Sequence, residues 1–134
     1  MSAAALALWL ALAQAAPAAK PTLAPSPTPT RVEAPPYEAD LLRLSEMMGA
    51  LAYLRDLCHD GDGAQFRGQI ARLIAADPRS QADKDLIAGA FNRGFDGYRL
   101  TYRICTSNAR TAIKSYLDET ERLAKGVAAR YGGG

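Results

Sequence analysis

Seven of the eight prolines in this 134-residue chain lie between residues 16 and 36, and Pro78 alone interrupts the stretch from Tyr37 to Tyr131. That asymmetry divides the chain. The segment APAAKPTLAPSPTPTRVEAPP, residues 16–36, lacks amide donors at short intervals and has little apolar surface to bury. It is expected to be an extended, polyproline-like tether, a spacer that also gives reach. The segment after it is nearly free of helix breakers and rich in Ala, Leu and Arg, so it can support long helices.

Residues 3–13, AAALALWLALA, form an apolar run that ends in Ala13-Gln14-Ala15, the small-x-small pattern of a signal-peptidase site. The run falls short of the ~20 residues that a helix needs to cross a bilayer, which favours a cleaved leader over an anchor. We therefore expect a signal peptide over residues 1–15, with cleavage as late as Ala19 as the alternative, and a periplasmic location. No Lys or Arg precedes the apolar run, so the basic n-region of a strong signal is missing.

Within residues 37–131, apolar residues recur at spacings of three and four. The first helix, about Tyr37 to Leu57, places Leu41, Leu44, Met48, Leu51 and Leu54 on one stripe, widened by Met47 and Ala50. The second, about Asp62 to Ala76, has Asp62 as its expected N-cap and Phe66, Ile70, Leu73 and Ile74 as its apolar face; Asp77-Pro78 stops it. Ser80-Gln-Ala-Asp83 opens a third like a capping box, running to about Cys105 with Ile87, Phe91, Gly94 or Phe95, Tyr98 and Tyr102 on one side. Thr106-Ser107-Asn108 caps a fourth, which carries Ile113, Tyr116, Leu117, Leu123, Val127 and Tyr131. Four amphipathic helices with short connections imply an all-α, up-down bundle.

In that order the first and third helices run the same way, so Cys58 and Cys105 fall at the same end. In an exported protein two such cysteines read as one disulfide; two buried free thiols are the alternative if export fails. Cys58 opens the hexapeptide CHDGDG, which holds the only histidine, His59, beside Asp60 and Asp62. A calcium loop counted from Asp60 fails at the fifth, sixth and twelfth positions, which are Ala64, Gln65 and Ala71. With one histidine a zinc set cannot be filled. The hexapeptide is best read as a helix corner, with Gly61 taking positive φ and His59 set against a helix C-terminus; a weak metal site or a catalytic group is the lesser alternative. No metal and no cofactor is expected.

No Gly-x-Ser-x-Gly elbow and no phosphate-binding glycine motif is present. Glu46 is the least implausible acid for cell-wall chemistry, although a solvated helix face is the simpler reading. The most distinctive segment is FNRGFDGYRLTYRIC, residues 91–105. Tyr98 and Tyr102 are four apart, as are Arg99 and Arg103, so each pair forms a short helical stripe. Gly94 and Gly97 are costly inside a helix. Close packing against Gly49 would offset that cost, with the tyrosines as core. The functional reading is a basic face, Arg93, Arg99 and Arg103, edged by Tyr98 and Tyr102, that docks an acidic envelope protein or an anionic envelope polymer. A formal net charge of +2 over the whole chain argues against nucleic acid.

The stretches YEADLLRLSEMMGALAYLRDLC, residues 37–58, and FNRGFDGYRLTYRICT, residues 91–106, resemble an uncharacterised family of small secreted alphaproteobacterial proteins. The resemblance spans about Tyr37 to Tyr131 and implies paired cysteines at 58 and 105. It brings no activity with it. A non-catalytic periplasmic interaction module, an adaptor or regulator, is the expected function. A small cell-wall enzyme using Glu46 or the Asp60/Asp62 corner is one alternative, and a structural envelope component is another. The oligomeric state is left open, an apolar stripe of Tyr116, Val127 and Tyr131 being either a dimer face or the last wall of the core.

Overall fold

A computed structural model of the protein describes residues 16–22, 24 and 33–132. The leader reading of residues 1–15, and the tether reading where it falls on residue 23 and residues 25–32, lie outside the described residues. From Glu33 onward four helices form: α1 (Glu38–Leu57), α2 (Gly63–Ala76), α3 (Gln81–Thr101) and α4 (Ser107–Tyr131). The all-α expectation holds.

The boundaries follow local chemistry. Asp77 is extended at φ −71° and ψ 118°, as the residue before Pro78 must be, and α2 ends there. Ser80 caps α3 by accepting from the Asp83 amide at 3.3 Å, and its hydroxyl donates to the Asp83 carboxylate at 2.7 Å. Thr106 caps α4 by accepting from the Ala109 amide at 3.0 Å. One boundary differs from expectation. α3 stops at Thr101, four residues early, and Tyr102 is extended at φ −116° and ψ 122°. The chain must turn across the bundle end to bring Cys105 to Cys58, at a Cα–Cα distance of 4.9 Å.

The up-down order is legible from contacts at each end. Arg79, just before α3, pairs with Glu38 at the start of α1 at 2.9 Å, and Cys105, just after α3, is bonded to Cys58 at the end of α1. The two helices are therefore parallel. α4 is antiparallel to α1, with Arg130 on Asp40 at 2.6 Å and Arg43 on Glu119 at 3.2 Å.

α1 carries more than one stripe. Leu41, Met48 and Ala52 pack with Ile70 of α2 and with Ile87 and Phe91 of α3. Leu51, Leu54 and Cys58 pack with Ala109 and Ile113 of α4. A helix that buries residues on more than one face belongs in the interior, and α1 packs against each of the other three while the α4 backbone approaches α1 alone. The helices surround α1 in place of forming a square of antiparallel neighbours.

The closest pair is the parallel one, α1 with α3. Gly49 lies against the Phe91 carbonyl and the Phe95 amide, and Gly94 lies against the Glu46 carbonyl and the Ala50 amide. A Cβ on Gly49 would stand 2.8 Å from the Phe91 carbonyl carbon, and one on Gly94 would stand 2.8 Å from that of Glu46. Only glycine allows this approach, which bears out the packing expected near Gly49. Gly97 is different: a Cβ there meets nothing within 4 Å.

Candidate functional site

CHDGDG is a corner built by the backbone. Cys58 caps α1, and His59 follows at φ 64°. The His59 amide donates to the Asp56 carbonyl at 3.1 Å and the Asp60 amide to the Arg55 carbonyl at 2.8 Å, the paired bonds of a Schellman ending. The left-handed residue is thus His59, with Gly61 a second at φ 77°. Glycine would hold the first position without the Cβ penalty. His59→Gly should raise stability by about 1 kcal/mol, read from urea denaturation.

The carboxylates around the corner are held by arginines. Asp62 occupies the N-cap position of α2 but makes no capping bond; it takes both branches of Arg55, at 2.7 and 2.6 Å. Those hydrogen bonds hold its carboxyl below the usual carboxylate range. The capping role passes to Asp56, which accepts from the Gly63 amide at 2.9 Å. Asp60 lies 3.8 Å from Arg55, and Asp56 lies 3.5 Å from Arg67. The expectation that Asp62 caps α2 is corrected, because a bidentate guanidinium outcompetes a single amide for its oxygens. Among the described residues no group of three or more His, Cys, Asp or Glu is placed to hold a metal.

Tyr98 and Tyr102 stack at 6.0 Å, both half-buried against Leu51, Leu54 and Ile113. The Tyr53 hydroxyl donates to the Tyr102 carbonyl, and the Tyr98 and Tyr116 hydroxyls bond to each other. These tyrosines are walls of the core. Arg93, Arg99 and Arg103 are exposed, but they do not share one helix face. Arg93 and Arg99 are six residues apart, about 120° around α3, and Arg103 lies past its end. The expected stripe of Arg99 with Arg103 is corrected for that reason. Arg99 carries an exposed ion pair with Asp96 at 3.3 Å.

Beside the tyrosine pair lies a solvent-open notch of about 170 Å³, lined by Arg43, Glu46, Met47, Ala50, Gly94, Tyr98 and Tyr116. Much of that space is open solvent, and the notch encloses only about 10 Å³, room for about one water. Burial, and then the bond to Tyr116, push the Tyr98 phenol above the ordinary tyrosine range. The folded state therefore holds this proton more tightly than the unfolded chain. Its contribution to stability is complete below about pH 10 and is lost as pH rises through the raised value. Thermal midpoints should fall steeply in that alkaline window, and Tyr98→Phe should flatten the fall while leaving the Tyr116 hydroxyl unpaired, at a cost of about 1 kcal/mol at neutral pH.

The end of the bundle that holds the disulfide has a different surface. Leu100 and Ile104 are 73% and 70% exposed, the most exposed of the large apolar side chains described. Arg99 and Arg103 adjoin them in sequence, and Arg110 stands in the first turn of α4.

A family model described as Protein of unknown function (DUF2385) matches residues 36–131, which takes in all four helices. The chain belongs to the DUF2385 family. No curated protein and no solved structure matches it. In this DUF2385 domain the exposed pair is what sequence reasoning missed. A signal was present: Leu100 stands about 200° around the helix from Tyr98, off the core stripe and beside an arginine. Ile104 carried the same signal while α3 was expected to continue through it, about 200° from Tyr102 and beside Arg103.

Proposed function

We propose that this DUF2385 domain is a non-catalytic interaction module of the cell envelope. It docks an anionic component through the disulfide end of the bundle, where Arg99 and Arg103 lie. The observation that carries this reading is the charge pairing at that end. Asp56, Asp60, Asp62 and Asp96 are each within 4 Å of Arg67, Arg55, Arg55 and Arg99 respectively, while no described carboxylate pairs with Arg103 or Arg110. Unneutralised cations beside exposed aliphatic side chains form a surface suited to an anionic partner. The Cys58–Cys105 bridge supports a periplasmic location, since structural disulfides persist in oxidising compartments. The proline-rich segment supplies reach.

Arg99→Glu combined with Arg103→Glu tests the reading. Both side chains are exposed, so the helical signal and the disulfide should be unchanged. An envelope partner recovered with the wild-type chain after crosslinking should be lost. Retention of every partner would sink the proposal.

A further inference from the structure

We infer that the disulfide end of the domain seats on an anionic lipid surface, with Leu100 and Ile104 entering the headgroup layer and Arg99, Arg103 and Arg110 meeting lipid phosphates. The inference deepens the interaction-module reading and rests on it. Leu100 closes the last turn of α3, and Ile104 lies in the short connection to Cys105. Aliphatic side chains this exposed leave apolar area in water, and burying them in a bilayer removes it. A protein partner would have to bring a pocket for each. A bilayer needs none.

Charge selects the kind of surface. Asp56, Asp60, Asp62 and Asp96 meet three arginines, Arg55 serving two of them, so Arg103 and Arg110 leave this end with an excess of one positive charge. A second copy presenting the same patch across a two-fold axis would set like charges against each other. An anionic bilayer complements them, each basic residue adding to the attraction within a Debye length. An anionic surface would draw this end inward.

The chain enters α1 at Glu38, and the 20 residues of α1 span about 30 Å before Cys58. The helices described include none long and apolar enough to cross a membrane, so seating would be peripheral.

The test is co-sedimentation of the chain, as recovered from cells, with phosphatidylglycerol-containing vesicles and with phosphatidylcholine vesicles. Wild type, Leu100→Ser with Ile104→Ser, and Arg99→Gln with Arg103→Gln are compared, and any lipid affinity of the N-terminal segment is common to all three. We expect binding to the phosphatidylglycerol vesicles only. It should weaken at least about tenfold in the serine variant and become less salt-sensitive in the glutamine variant. Both pairs are exposed, and circular dichroism checks that the fold is retained.

Equal binding by all three chains, or no binding by wild type, would overturn the inference. Should wild type bind no vesicle while Arg99→Glu with Arg103→Glu still loses an envelope partner, the lipid surface is wrong and the interaction module stands. If vesicle binding and partner recovery both survive that charge reversal, both readings fall.

Discussion

Gly94→Ala should nearly unfold this domain, whereas Gly97→Ala, three residues further along the same helix, should stabilise it. Helix propensity alone assigns both changes a gain of up to about 1 kcal/mol. At position 97 nothing opposes that gain, because the added Cβ meets no atom within 4 Å. At position 94 it would stand 2.8 Å from the Glu46 carbonyl carbon and 3.0 Å from the Ala50 amide, and closer still to the Glu46 oxygen. These are backbone atoms of the central helix and cannot rotate away. α3 would have to withdraw, which would also part Gly49 from Phe91 and loosen Ile87 and Phe91 from Met48. The cost should exceed the about 1–3 kcal/mol of ordinary overpacking, a large share of the roughly 5–15 kcal/mol that holds a domain folded. Thermal denaturation of the two variants decides the point. A midpoint for Gly94→Ala at or above wild type would mean that α1 and α3 do not meet as described.

Loss of the Cys58–Cys105 bridge carries the second large effect. The cysteines are 47 residues apart, and closing a loop of that length removes roughly 4 kcal/mol of denatured-state entropy in the chain-entropy model. The bridge also ties down the stretch after Thr101, where α3 has ended and regular hydrogen bonding with it. Cys58→Ala with Cys105→Ala should therefore lose about 4 kcal/mol in urea denaturation under non-reducing conditions. The variant should match the wild-type chain once the latter is fully reduced. Equal stability of the oxidised and reduced wild-type chains would refute the loop argument.

The candidate site was only partly legible before the structure. The corner was readable because CHDGDG fits no ligand geometry, and a turn between two helices needs residues that tolerate positive φ. That His59 takes that conformation as well as Gly61 was not readable. Gly61 takes the positive φ expected of it, but so does His59, on which the Schellman bonds fall because its position is counted from the last turn of α1. Asp62 was read as a cap from its place before α2, and the seven-residue reach to Arg55 lay outside any local rule. The docking segment failed in the same way. Arg99 and Arg103 look like one stripe only while α3 continues, and the disulfide ends it first.

The sequence by itself determined the class of fold, the number of helices, the caps at Ser80 and Thr106, and the pairing of the cysteines. Those features depend on short-range periodicity, on side chains that reach their own backbone, and on an up-down order that brings equivalent helix ends together. Only the tertiary structure decided that α1 is central, that its closest neighbour is the parallel α3, and that Leu100 and Ile104 face water. A helix with apolar residues on more than one face does not say which partner takes which face. The backbone contact through Gly49 and Gly94, over 40 residues apart in sequence, made that choice.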